Sequence, residues 1–263
     1  MAGIKSLAKD TAVYGISSIV GRFLNWLLVP LYTIMFAVEE YGVVTFIYSV
    51  VALVMVIITY GMETGFFRFS NHERWNDPDV VYGTSLTSLA TSSTLFALLV
   101  CIFATPVAKA MECPDHPEYV AIMAVCVAID AFLAIPFSYL RYKKRPYRFA
   151  LLKLVNIGVN IGLNLFFILL CPELMKSAPA TVDWFYRPDF GIGYIFLANL
   201  IASAVNLLMM LPELTAVRWR FNGRLWREMI RYSAPLLVLG VAGIMNQTID
   251  KILYPHLVAD PAE

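Results

Sequence analysis

The chain has 263 residues, of which 59% are apolar and 15% charged, and its mean hydropathy is +0.69. Soluble domains carry about 25% charged residues, so this chain has too few charges to cover a soluble globule and too many apolar residues for disorder. Its net charge of +1 gives no reason to expect a nucleic acid as a partner. The remaining class is an integral membrane protein, built from helices because the apolar runs are long.

Seven apolar runs are long enough to cross a bilayer, which takes about 20 helical residues. We place them at residues 11–36, 42–67, 80–108, 119–140, 150–171, 190–217 and 232–254. The first run is too long for the core of a signal peptide, and we interpret it as a retained helix. The sequence therefore predicts an all-α, polytopic membrane helix bundle.

The loops between the predicted spans alternate in their content of Lys and Arg. Fifteen of these 20 residues fall on one side of the spans, whereas three, Lys109, Lys176 and Arg187, fall on the other. Positively charged loops stay in the cytoplasm, so we expect a cytoplasmic N-terminus. The basic loops RYKKRPYR and RWRFNGRLWREMIR are expected to set this topology and to contact anionic membrane lipids.

Two charged residues fall near the middle of predicted spans. At 1.5 Å per helical residue, Arg22 lies about 16 Å and Asp130 about 15 Å from the inner surface. Charge at this depth is costly and faces a cavity or an opposite charge. The two residues either form a structural ion pair, or Arg22 meets an anionic substrate. Asp130 is also a candidate for coupling transport to an ion or proton. The other candidate is Asp250, which lies near the outer end of the seventh span.

Amide side chains form stripes on two predicted spans. The fifth span carries Asn156, Asn160 and Asn164 at i, i+4 and i+8, and the sixth carries Asn199 and Asn206 on one face. Such stripes either join helices by hydrogen bonds or line a hydrated interior that binds hydroxyl-rich material. Both interpretations stay open.

No pattern predicts an enzyme, a cofactor or a metal site. The four cysteines show no CxxC spacing and the three histidines no HExxH, and no Walker, Rossmann or Ser–His–Asp pattern occurs. Asp77-Pro78-Asp79 matches the DxD of sugar-nucleotide enzymes, but a turn before the third span explains it better.

The seventh span aligns with the first at an offset of 222 residues, which pairs Gly21 with Gly243 and Asn25 with Gln247. An even number of spans separates the two, which predicts parallel repeats. We therefore expect a six-helix lobe over residues 1–225. Residues 226–263 would be the incomplete start of a second lobe, in a truncated copy of a longer transporter.

Three segments of the chain resemble one family: KSLAKDTAVYGISSIVGRFLNWLLVPLYT, EEYGVVTFIYSVVALVMVIITYGMETGFFRFSN and SAPLLVLGVAGIMNQTIDKILY. They are similar to the bacterial polysaccharide flippases of the multidrug/oligosaccharidyl-lipid/polysaccharide exporter superfamily. The resemblance implies two six-helix lobes around a central cavity with alternating access. It also implies transport of undecaprenyl-diphosphate-linked oligosaccharides across the inner membrane for lipopolysaccharide-type polymers, alongside polysaccharide-assembly enzymes. By position, it implies Arg22 as a cavity cation for the diphosphate and Asp250 as the acid common in the seventh helix.

The resulting expectation is a flippase that performs no covalent chemistry. A multidrug or lipid II exporter, a membrane enzyme acting on polyprenyl-phosphate sugars, and a nonfunctional half-transporter are the alternatives. The candidate substrate-binding residues are Arg22, Asn25, Asp130, Asn156, Asn160, Asn164, Asn199 and Asn206, and the coupling candidates are Asp130 and Asp250.

Overall fold

The computed structural model describes residues 13–17, 19–21, 23, 24, 26–72, 75, 77–111, 113–215, 217 and 219–257, with the backbone alone for 250–257. Its helices are α1 (Leu28–Met35), α2 (Val38–Thr59), α3 (Met62–Ser70), α4 (Pro78–Ile102), α5 (Ala104–Ala110), α6 (Pro117–Tyr142), α7 (Pro146–Leu165), α8 (Cys171–Ser177), α9 (Gly193–Met209), α10 (Leu211–Thr215) and α11 (Gly223–Leu257). The described residues form no β-strand, so the predicted all-α class is confirmed.

Five segments within the described residues are long and apolar enough to cross a membrane: Val38–Ser70, Pro78–Ile102, Pro117–Tyr142, Pro146–Ser177 and Gly223–Ile249. They confirm the second to fifth and the seventh predicted spans, with ends shifted by several residues. The predicted first span lies partly outside the described residues.

The sixth predicted span, at 190–217, is too long. The structure has the shorter apolar helix α9, which ends at Met209, and then the separate short helix α10. Pro212 gives the physical reason, because proline lacks the N–H that would continue a helix and its ring clashes with the preceding turn.

One compact unit comprises Met1–Tyr41 and Lys143–Met210. In it α7 packs along α9 and continues through a π-helical turn, Phe166–Leu170, into α8. The loop that follows is held by buried aromatic rings, with Tyr186 and Tyr194 stacked at 4.9 Å.

The other compact unit comprises Gly42–Tyr142 and Leu211–Glu263. Here α4 packs along α6, and α11 packs against α3 and α4. Three buried rings join the helices: Phe66 of α3 lies 6.2 Å from Tyr82 of α4, which lies 4.3 Å from Tyr139 of α6. The predicted lobe boundary at residue 225 stays a prediction.

The Asp77-Pro78-Asp79 segment begins α4. The carboxylate of Asp77 accepts hydrogen bonds from the backbone N–H groups of Asp79 at 3.1 Å and Val80 at 3.4 Å. Pro78 occupies the first helical position, where its missing N–H is not needed. The segment is therefore a helix start, as its turn-forming residues predict.

Candidate functional site

The amide stripe of α7 is buried and hydrogen-bonded. Asn164 is fully buried, and its Oδ1 accepts a hydrogen bond from the Tyr32 hydroxyl at 2.9 Å. Its Nδ2 donates to the backbone oxygen of Asn160 at 2.8 Å and to the Asn160 Oδ1 at 2.9 Å. A polar group in an apolar bundle costs free energy unless it is bonded in this way. Asn164 thus joins α1 to α7, while half-buried Asn156 lies further along the stripe.

The polar face of α9 belongs to the same unit. Asn199 is half-buried, and Asn206 is 4% exposed. The Oδ1 of Asn206 has no hydrogen-bond donor among the described residues. Because a buried acceptor without a partner is unfavourable, this oxygen is a potential acceptor for a hydroxyl group. A contact of either stripe with a substrate stays a prediction.

Of the two residues in the predicted charged pair, the structure describes only Asp130. Asp130 is half-buried on α6, where the Cys126 thiol lies 3.9 Å from its Oδ2. Arg22 and Asn25 lie outside the described residues, and so does the side chain of Asp250, which stands on α11. The proposed meeting of Arg22 with Asp130 and the coupling roles stay predictions.

A polar triangle joins α3 to α6 in the second unit. Arg141 donates to the Oε2 of Glu63 at 2.7 Å and to the hydroxyl of Ser138 at 2.9 Å, and Ser138 donates to the same Oε2 at 3.0 Å. The side chains of Arg141 and Glu63 are 38% and 40% exposed, so water weakens the ion pair. The two hydrogen bonds of the triangle that Glu63 accepts connect α3 to α6.

A groove of about 570 Å³ opens between α4 and α11. One wall consists of hydroxyl side chains spaced along α4, and the other carries aromatic and aliphatic side chains. The hydroxyl-bearing residues are Thr87, Ser88, Thr91 and Ser92, and the rings belong to Tyr60, Phe221 and Trp226. We call this cavity the α4–α11 groove.

Ser88 fixes two of the rings at the wall of the α4–α11 groove. Its Oγ lies 2.5 Å from the Tyr60 hydroxyl and accepts a hydrogen bond from the Trp226 Nε1 at 2.7 Å. The hydroxyls of Thr87 and Thr91 donate to backbone oxygens one turn earlier, at 2.8 and 2.9 Å. Their oxygens keep lone pairs, so the groove combines fixed aromatic rings with a row of acceptors.

Three exposed arginines stand at the start of α11. Arg224, Arg227 and Arg231 line a depression of about 360 Å³ together with Glu228. Within the described part of the chain, none of the three forms an ion pair. The Glu228 Oε2 accepts a hydrogen bond from the Trp75 Nε1 at 3.3 Å. We call Arg224, Arg227 and Arg231 the arginine face.

The described residues hold no group of three His, Cys, Asp or Glu side chains that could bind a metal ion. All four cysteines lie within the described residues, and none of them forms a disulfide bond. Burial raises the pKa of the Cys113 thiol, and the nearby Glu118 carboxylate adds to the effect. This thiol is therefore a poor nucleophile at neutral pH.

Neither the α4–α11 groove nor the Glu63 triangle was predicted from the sequence. The signals were present in part: a run of Ser and Thr opens the third predicted span, and Trp226 lies inside a basic loop. The packing of α11 on α4 brings these residues together, although Ser88 and Trp226 lie 138 residues apart in the chain.

One comparison with known proteins gives a match. A family model described as "Polysaccharide biosynthesis protein" matches residues 7–261, which takes in all the helices named above. No curated protein and no solved structure gives a significant match to the chain.

Proposed function

The chain belongs to the family of polysaccharide biosynthesis proteins, and from this premise we propose that it is a flippase. It moves a polyprenyl-diphosphate-linked oligosaccharide across the bacterial inner membrane, with its N-terminus in the cytoplasm, for the assembly of a cell-surface polysaccharide. The observation that carries the proposal is that the described residues of the matched region include five segments long and apolar enough to cross a membrane.

The physical task is to carry a sugar diphosphate through hydrocarbon. Each unsatisfied polar group there costs several kcal/mol, so the pathway needs side chains that replace water. Amide oxygens, such as the Oδ1 of Asn206, suit sugar hydroxyls, and guanidinium groups suit phosphate. The polyprenyl chain stays in the lipid. No bond is made or broken, so the protein acts as a transporter and not as an enzyme.

Two sets of residues receive roles in this mechanism. Arg22 binds the diphosphate of the substrate within the first span, and Asn25 binds its sugar hydroxyls. Protonation of Asp130 or Asp250 couples transport to an ion gradient, because an intramembrane acid changes charge when it binds a proton. Enzymes of polysaccharide assembly supply the lipid-linked substrate on the cytoplasmic side.

The test is transport in proteoliposomes with the variants Arg22→Ala and Arg22→Lys. We expect Arg22→Ala to lose at least tenfold in rate, and Arg22→Lys to retain part of it, because lysine keeps the charge but not the bidentate geometry. Arg187→Ala, in a loop predicted to lie outside, is the matched control. Wild-type rates in both Arg22 variants would exclude this role.

Assays in the same proteoliposomes distinguish which class of substrate the protein transports. Lipid-linked oligosaccharide, lipid II and a cationic drug are presented in parallel, and we expect movement of the first alone. Movement of lipid II or of the drug in its place would assign the protein to another branch of exporters. Release of cleaved sugar would indicate an enzyme.

A further inference from the structure

We propose that the α4–α11 groove and the arginine face together form a loading site for the glycosyl diphosphate part of a lipid-linked substrate. The groove holds the sugar next to the diphosphate, and Arg224, Arg227 and Arg231 bind the diphosphate itself. This inference rests on the proposed function, because it assigns the substrate of that function to named residues.

The two features lie on neighbouring faces of the same turns of α11. Trp226 and Ile230 line the groove, whereas Arg227 and Arg231 line the depression. Each of these pairs is spaced i, i+4 and therefore occupies one face, and the second pair follows the first by a single residue, a rotation of about 100°. A ligand that spans both faces must carry its charge directly beside its uncharged part, as a glycosyl diphosphate does.

The chemistry of the groove favours a sugar over a polyprenyl chain. Its volume of about 570 Å³ falls within the range of roughly 300–1,000 Å³ that is usual for small-molecule pockets. Tyr60 and Trp226 are held in place through Ser88, so their rings need no ordering when a ligand binds. Aromatic faces suit the C–H surface of a pyranose, and the oxygens of Thr87 and Thr91 accept from its hydroxyls. A hydrocarbon chain would use none of these acceptors.

The chemistry of the arginine face favours a diphosphate. Guanidinium groups bind phosphate oxygens in a bidentate manner, which gives geometric selectivity as well as attraction. Three exposed guanidinium groups stand against one carboxylate, that of Glu228, which already accepts a hydrogen bond from Trp75. The face therefore keeps an excess of positive charge that complements two linked phosphates better than one.

The experiment measures binding to the purified full chain in nanodiscs by titration calorimetry. The probes are farnesyl-diphosphate-linked N-acetylglucosamine, farnesyl diphosphate and inorganic pyrophosphate. We expect the glycosylated probe to bind at least tenfold more tightly than farnesyl diphosphate. The double variant Arg227→Gln/Arg231→Gln should weaken both prenyl probes at least tenfold, whereas Arg187→Gln should change neither.

A second variant tests the role of the α4–α11 groove separately from that of the arginine face. Thr91→Leu fills the groove from an exposed position on α4, so it should abolish the advantage of the glycosylated probe and leave the affinity for farnesyl diphosphate unchanged. If Thr91→Leu instead weakens farnesyl diphosphate, the groove holds the prenyl chain and the sugar assignment is wrong. Equal affinities of wild type and the double arginine variant would overturn the diphosphate assignment. Circular dichroism and gel filtration establish that each variant is folded.

The binding and transport measurements test the loading site and the flippase proposal independently. If the wild type binds the probes as expected but moves no substrate in proteoliposomes, the flippase proposal fails and the binding site stands. If the wild type transports, and the groove and arginine variants bind and transport as the wild type does, the loading site fails and the flippase proposal stands.

Discussion

The hydroxyl of Tyr32 and the amide of Asn164 lie 132 residues apart in the chain, yet they form one buried hydrogen bond of 2.9 Å. We predict that Tyr32→Phe lowers the free energy of unfolding by about 0.6 kcal/mol and by no more than about 1.7 kcal/mol, the range measured for hydrogen bonds between membrane helices. Asn164→Ala should have a larger effect, because it also removes both hydrogen bonds that Asn164 donates to Asn160 and leaves a cavity. Reversible unfolding in bicelles measures both values.

The double variant Tyr32→Phe/Asn164→Ala completes a mutant cycle that isolates the pair from its surroundings. Asn156→Ala is the matched control, since Asn156 occupies the same stripe but is only half-buried. We expect coupling between Tyr32 and Asn164 and none between Tyr32 and Asn156. Additive effects of Tyr32→Phe and Asn164→Ala would mean that the hydrogen bond contributes nothing to stability.

The sequence predicted part of this arrangement. The i, i+4, i+8 spacing puts Asn156, Asn160 and Asn164 on one face of a helix, and burial increases along that face from Asn156 to Asn164. The partner could not be predicted, because a period within one helix says nothing about which other helix contacts it. Tyr32 is one of 14 tyrosines in the chain, and only the fold identifies it.

At the scale of elements, the break between α2 and α3 depends on two left-handed residues. Tyr60 has φ 34° and Gly61 φ 69°, and a Cβ on Gly61 would lie 3.3 Å from the Cβ of Leu236 on α11. We predict that Gly61→Ala destabilises the protein by about 1–2 kcal/mol, the cost of a left-handed conformation for an L-residue. Thermal unfolding in detergent, followed by helical circular dichroism, measures the change.

Gly158→Ala on α7 is the control for this substitution, because a Cβ there meets no atom within 4 Å. Alanine favours helix over glycine by about 0.8–1.0 kcal/mol, so Gly158→Ala should be neutral or stabilising. An equal loss of stability in both variants would show that the left-handed turn at Gly61 is not the cause.

Hydropathy predicted where the chain crosses the membrane but not how each crossing is built. The predicted span at 42–67 is one long run of mostly apolar residues, and hydropathy alone does not predict that the helix breaks within it, at Tyr60 and Gly61. The π-helical turn at Phe166–Leu170 is equally hidden, because it changes the hydrogen-bond register and not the composition. Length and polarity determine a crossing, whereas breaks depend on single backbone conformations.

At the scale of the whole molecule, the distribution of Lys and Arg predicts which loops face the cytoplasm. The loop between α6 and α7 contains Lys144 within a dense basic run, whereas the loop between α8 and α9 contains Trp184, which is 82% exposed, and few basic residues. We predict opposite sides of the membrane for these two positions. In a chain whose four cysteines are replaced by serine, Trp184→Cys should react with a membrane-impermeant maleimide in intact cells. Lys144→Cys should react only after the cells are opened, and labelling of both in intact cells, or of Lys144→Cys alone, would refute the predicted orientation.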